Sequence, residues 1–87
     1  MNEREDLKPE YLIQEDAAKY LNVTPRSIAQ MRKGGILRFF KSGKRFVYKK
    51  EWLDEVAEKY AGYDVSNVES IALAVRSIEW KRNHGVN

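Results

Sequence analysis

The chain of 87 residues has no cysteine, a single histidine and only two prolines. Without cysteine there can be no disulfide framework and no thiolate metal site, and His84 alone cannot assemble a zinc site. A membrane span needs about 18 consecutive apolar residues, and no stretch approaches that length. The opening Met1-Asn2-Glu3-Arg4-Glu5-Asp6 is acidic where a signal peptide is basic and then apolar. The expectation is a cytoplasmic protein that makes no use of a membrane. A chain of this length holds one small domain, stabilised by its own core or by a partner chain. Its 43% hydrophobic and 33% charged residues are proportions of a folded globular chain, not of a disordered one.

One further absence is local. Between Ala17 and Lys50 there is no acidic residue, while ten basic ones fall there: Lys19, Arg26, Arg32, Lys33, Arg38, Lys41, Lys44, Arg45, Lys49 and Lys50. The 13 acidic residues lie outside it, six before and seven after, so that a net charge of only +3 conceals a strongly positive middle. That distribution is the electrostatic footprint of a phosphate-backbone binder. A solvated basic face is the plain alternative, but it does not account for so complete a segregation. An anionic membrane surface would call for one long basic amphipathic helix, and Gly34, Gly35 and Gly43 interrupt the segment.

The pattern along the chain divides it into an N-terminal arm (1–10), a main domain (11–62) and a last helix (65–83). Ala17, Ala18 and Leu21 recur at helical spacing behind Glu15 and Asp16, which predicts a short first helix closed by Asn22-Val23. Thr24-Pro25 then supplies an N-cap residue and a proline at the first helical position. The second helix runs to about Lys33 with Ile28 and Met31 on its buried stripe, and Gly34-Gly35 ends it. From Ile36 to Tyr48, two runs rich in aromatic and branched residues flank Ser42-Gly43, which predicts a β-hairpin with a basic tip. A third helix is expected from Lys50 to Tyr60. The last starts at a capping-box match, Ser66-Asn67-Val68-Glu69. Val68, Ile71, Val75 and Ile78 follow at a, d spacing, a candidate oligomerisation seam whose alternative is packing on the chain's own core.

A helix, a three-residue turn, a second helix with a polar and basic outer face and then a basic hairpin form an arrangement suited to duplex DNA. The first helix braces the second, whose exposed side chains reach base edges in the major groove, while the hairpin lies on the backbone or in the adjoining minor groove. The stretch from Tyr11 to Tyr60 resembles the MerR-like winged helix-turn-helix family in its excisionase-type form. The matching pieces are Glu15-Asp16-Ala17-Ala18-Lys19-Tyr20-Leu21-Asn22-Val23, Thr24-Pro25-Arg26-Ser27-Ile28, Gly34-Gly35-Ile36-Leu37, the wing Lys41-Ser42-Gly43-Lys44-Arg45-Phe46-Val47-Tyr48, and Lys50-Glu51-Trp52-Leu53.

The resemblance implies a mainly α fold with a small β-hairpin, a winged helix-turn-helix extended by a C-terminal helix. It implies that Arg26, Ser27 and Gln30 face the major groove, Gln30 able to pair with adenine and Arg26 with guanine or phosphate. Lys44 and Arg45 at the wing tip, with Lys41 beside them, are the implied backbone or minor-groove contacts. Thr24 serves as a cap or a DNA ligand, and Lys33, like Arg32, also gains from the helix dipole.

The implied function is a small transcriptional regulator or a recombination directionality factor on double-stranded DNA. The implied partners are a second copy, or more, through the last helix, and an integrase. A DNA-packaging protein of small-terminase type, a plasmid-partition protein and a protein-interaction module without DNA binding are the alternatives. No catalytic carboxylate pair, nucleophile triad, phosphate-cradling loop or metal cluster is present, so neither an enzyme nor a cofactor is expected.

Overall fold

Three short strands and four helices make up the described part of the chain, residues 10–84 of a computed structural model. In order they are β1 (Tyr11–Ile13), α1 (Gln14–Leu21), α2 (Pro25–Lys33), β2 (Phe40–Ser42), β3 (Arg45–Lys49), α3 (Lys50–Lys59) and α4 (Val68–Asn83). This is a winged helix-turn-helix with an added C-terminal helix. The N-terminal arm expected over residues 1–10 lies, apart from Glu10, outside the described residues.

The α1–α2 corner is built from local chemistry. Asn22 adopts the left-handed conformation (φ 59°) that asparagine tolerates better than most residues, and it turns the chain out of α1. Thr24 then caps α2, its Oγ1 accepting from the Ser27 N–H at 3.1 Å, and Pro25 occupies the first turn where its missing N–H costs nothing. The Gln14 Nε2 donates to the Pro25 carbonyl at 3.0 Å, fastening the start of α1 to the start of α2. Ala17 and Ala18 are fully buried, so α1 presents almost no side-chain bulk and α2 can lie close against it.

The core behind this corner comprises Ile28 and Met31 of α2, Leu37, Tyr48 of β3, Leu53 and Val56 of α3, Tyr60, and Ile71 and Ala74 of α4. Each fully buried large side chain among them contributes roughly 1.5–3 kcal/mol. At the start of α3, Leu53 is buried and Trp52 packs at the edge of the core.

Strand β3 is central, in the order β1-β3-β2, antiparallel to both neighbours. The register pairs Tyr11 with Lys49, Ile13 with Val47, Phe40 with Val47 and Ser42 with Arg45. Two details differ from the expected hairpin. Strand β1 joins the sheet, although three residues are too few to show an alternation. The first hairpin strand begins only at Phe40, because the Ile36 and Leu37 N–H groups turn back to the Met31 carbonyl (3.1 and 3.3 Å) and Leu37 fills the core.

Helix α4 brings two corrections. It begins at Val68, capped by Asn67, whose Oδ1 accepts from the Ser70 N–H at 2.8 Å. Ser66 is therefore not the cap of a capping box; its hydroxyl donates to Asp64 at 2.7 Å instead. The a, d seam is not a free face either. Ile71 is buried against α2, and Val75 and Ile78 pack on the core, leaving only Val68 of the four substantially exposed. A Cβ on Gly34 would meet the Ile71 Cγ2 at 2.9 Å, so glycine at that position is what lets α4 settle onto the end of α2.

Candidate nucleic-acid interface

The acid-free segment from Ala17 to Lys50 holds α2 and the β2–β3 wing together with most of α1. On α2, Arg26 and Lys33 are exposed, two turns apart on one side of the helix, opposite the buried Ile28 and Met31. Ser27 is half-buried between them and the cap, its Oγ receiving the Thr24 hydroxyl at 3.1 Å. Thr24 thus caps α2 through the Ser27 N–H and gives its hydroxyl proton to the Ser27 hydroxyl. The helix ends with Arg32 and Lys33 in its last turn, where positive charge meets the negative end of the dipole.

Gln30 is placed differently from the expectation of a free base-reading side chain. Its Oε1 accepts the backbone N–H of Val68 at 3.0 Å, so this edge of α2 holds the first residue of α4. One of the two lone pairs of the amide oxygen, the atom that would accept in a bidentate pair with adenine, is engaged within the fold.

The wing carries Lys41, Lys44 and Arg45, all exposed. Its tip is a two-residue turn, Gly43-Lys44, between the paired Ser42 and Arg45, and Gly43 takes the positive φ (63°) that the reversal demands. Lys44, Arg45, Ser42 and Phe46 form one wall of an open cleft of about 600 Å³, with Ile13, Gln14 and Glu15 at the start of α1 opposite.

One residue given no DNA-facing role by sequence reasoning organises the site. The Arg32 guanidinium sits 3.7 Å from the centroid of Phe46, and its Nε donates to the Tyr48 hydroxyl at 3.0 Å. Phe39 packs edge-on against Phe46 with ring centroids 5.5 Å apart, and the Lys41 ammonium lies 5.3 Å from the same ring. A cation from α2 is therefore clasped by the aromatic residues of the wing, and the two basic elements are fixed relative to each other. The alternation Phe46-Val47-Tyr48 marks a strand face, but which helix residue meets that face is set by tertiary packing.

A helix on a small-residue brace, a capped three-residue turn and a basic wing locked to the second helix define the motif. A family model described as a helix-turn-helix domain matches residues 11–61, from β1 to the turn after α3. The chain belongs to that helix-turn-helix family. The membership is consistent with the excisionase-type resemblance, and it makes the protein a DNA-binding helix-turn-helix protein of a typically non-enzymatic family. No curated protein and no solved structure matches the chain.

The helix-turn-helix unit is completed by α3, tied to α1 by the Tyr20 hydroxyl donating to Asp54 Oδ1 at 2.8 Å. That bond holds the Tyr20 proton and raises its pKa above 10.0, with desolvation and the Asp54 charge adding in the same sense. Among the described residues no cluster of histidine, aspartate and glutamate could hold a metal ion, and no helix is long and apolar enough to cross a membrane.

Proposed function

We propose that this protein binds double-stranded DNA sequence-specifically, with α2 in the major groove and the β2–β3 wing on the sugar-phosphate backbone or in the adjoining minor groove. It serves as a small transcriptional regulator or as an excisionase-like recombination directionality factor, which would act beside an integrase. The observation that carries the reading is that the acid-free basic segment contains both the reading helix and the wing, clasped together by Arg32. Arg26 and Lys33 supply the exposed cations of the helix, Ser27 lies beside them, and Lys41, Lys44 and Arg45 supply those of the wing. Backbone neutralisation by such a set gives affinity and register, and base-edge contacts from α2 give specificity.

The test is anisotropy of a labelled random duplex at about 50 and 200 mM salt, combined with selection from a randomised duplex pool. Binding should weaken steeply with salt, by about 0.9 log units of affinity per log unit of salt for each phosphate contacted. The selected sequence should bind at least about a thousandfold tighter than the random duplex. Absence of salt-dependent binding at low salt overturns the DNA reading, and failure to enrich any sequence overturns its specificity.

A further inference from the structure

The sheet turns one face to the core and leaves the other uncovered. Leu12, Phe46 and Tyr48 pack inward, so the alternate residues of the same strands point outward. The register sets these in a row across all three strands, Ile13 opposite Val47 and Val47 opposite Phe40. On the outward rungs to either side stand Tyr11 opposite Lys49 and Ser42 opposite Arg45. Strands lie about 4.8 Å apart, so the apolar row is roughly 10 Å wide. Phe40 is 58% exposed, Tyr11 42% and Ile13 38%. Ile13 also occupies the N-cap position of α1 and makes no side-chain hydrogen bond to the helix. A serine, threonine, asparagine or aspartate there would bond a free N–H of α1. Isoleucine gives up that cap and places an apolar side chain on the outside of the sheet.

We propose that this face is a docking surface for an acidic amphipathic peptide segment of a partner protein. The charge beside the apolar row argues for that chemistry. At the Tyr11 end, Lys49 is already neutralised by Glu51 at 3.1 Å. At the other end Arg45 is exposed on the same face, with Lys44 before it at the turn, and among the described residues neither is in an ion pair. Arg45 and Ile13 line the same open cleft, and Glu15, which lines it too, makes no ion pair with Arg45. The row therefore ends in free positive charge on the wing side.

Apolar side chains of the segment cover Ile13, Val47 and Phe40, and its carboxylates lie toward Arg45. An apolar centre with a charged rim is the ordinary anatomy of an interface. A basic segment would meet the wing cations as like charges, and a purely apolar one would leave Arg45 without a partner. The face is far smaller than the roughly 800 Å² per partner of a stable complex, so the affinity expected is modest, on the order of 10–100 μM. The surface is a property of the sheet in the free chain, and its test, made without DNA, fails or succeeds separately from the DNA reading.

Selection of short random peptides displayed on phage against the full chain tests it, followed by fluorescence anisotropy of the enriched peptides. These should combine apolar residues with Asp or Glu. Ile13→Thr with Phe40→Thr should weaken their binding at least about tenfold. The same variant should keep its Tm within a few degrees, because threonine caps α1 and suits a strand. Arg45→Glu, at an exposed position, should also weaken binding about tenfold, and peptides with lysine in place of their acids should regain it on that variant. A library that enriches nothing, enriched peptides without acids, or a threonine variant that binds as tightly as the wild type overturns the surface. A threonine variant that unfolds many degrees early makes the row part of the core and overturns it too. A dimer of the free chain in sedimentation equilibrium that the two threonine substitutions abolish assigns the face to a second copy and overturns the peptide.

Discussion

The Oε1 of Gln30, in the middle of α2, accepts the backbone N–H of Val68, the first residue of α4, at 3.0 Å. A helix leaves its first N–H groups without internal partners, and Asn67 serves only that of Ser70. Gln30 therefore acts as a cap contributed from another helix, and the start of α4 is registered on α2. Gln30→Ala should lower stability by about 1 kcal/mol, a fall in Tm of several degrees for a domain of this size. Gln30→Glu keeps the acceptor and should retain stability. Thermal unfolding followed by circular dichroism distinguishes them; an alanine variant as stable as the wild type would show that water replaces the cap at no cost.

Arg32 is expected to position the wing and not to neutralise a phosphate. The residue is half-buried, its guanidinium bonded to Tyr48 and set over the Phe46 ring. Removing it leaves the Tyr48 hydroxyl, on a residue 0% exposed, without its partner. Arg32→Ala should cost roughly 2 kcal/mol of stability from the lost hydrogen bond and cation–π contact. Arg32→Lys keeps the charge but not the planar fork that bonds and stacks at once, so it should restore only part of that. On DNA, both variants should weaken binding with the salt slope unchanged. A slope reduced by about 1 in either would place Arg32 on a phosphate instead.

The elements that were legible in the sequence are those with a local cause. Thr24-Pro25 starts α2 through a side-chain cap and a fixed φ, and Asn22 ends α1 through its tolerance of a positive φ. Ala17, Ala18, Ile28 and Met31 announce their buried faces by spacing. What the sequence did not disclose depends on residues distant along the chain. Strand β1 exists only because Tyr11–Ile13 meets the edge of β3. The inward turn of Ile71, Val75 and Ile78 depends on Gly34 leaving room on α2, and a 3, 4, 3 spacing is the same for a seam and for a core stripe. Gln30 reads equally well as a base ligand or as a cap, and only the position of Val68 separates the two.

Lys44 and Arg45 should behave as backbone contacts. Both are exposed at the wing tip, and neither is needed by the core. Replacing both by alanine should leave the Tm within about a degree, since surface substitutions of this kind change stability little. Affinity for every duplex should fall, and the salt slope should flatten by up to about 2 units. Titrations of a selected and a random duplex at several salt concentrations measure this. Equal slopes for variant and wild type would remove the wing from the interface.

The attachment of α4 should also depend on acid. The Asp64 carboxylate accepts the Ser66 hydroxyl at 2.7 Å and the Ser66 N–H at 2.9 Å, in the turn that leads into the Asn67 cap. These bonds, the hydroxyl first, hold its pKa below the ordinary 3.8, with a lesser contribution from Ser70 and an opposing one from desolvation. Because the folded pKa is lowered, the contribution to stability is complete above 3.8 and is lost as pH falls through the folded value. The turn should therefore release at strongly acidic pH, exposing the Ser66 and Ser70 amides to exchange before those of α1 and α2. Asp64→Asn retains a carbonyl acceptor for Ser66 but cannot titrate, and it should abolish the early step. Amide hydrogen exchange between pH 5 and pH 2, after correction for the intrinsic pH dependence of exchange, reads the difference. An Asp64→Asn variant that releases Ser66 and Ser70 over the same pH range as the wild type would show that another carboxylate governs the turn.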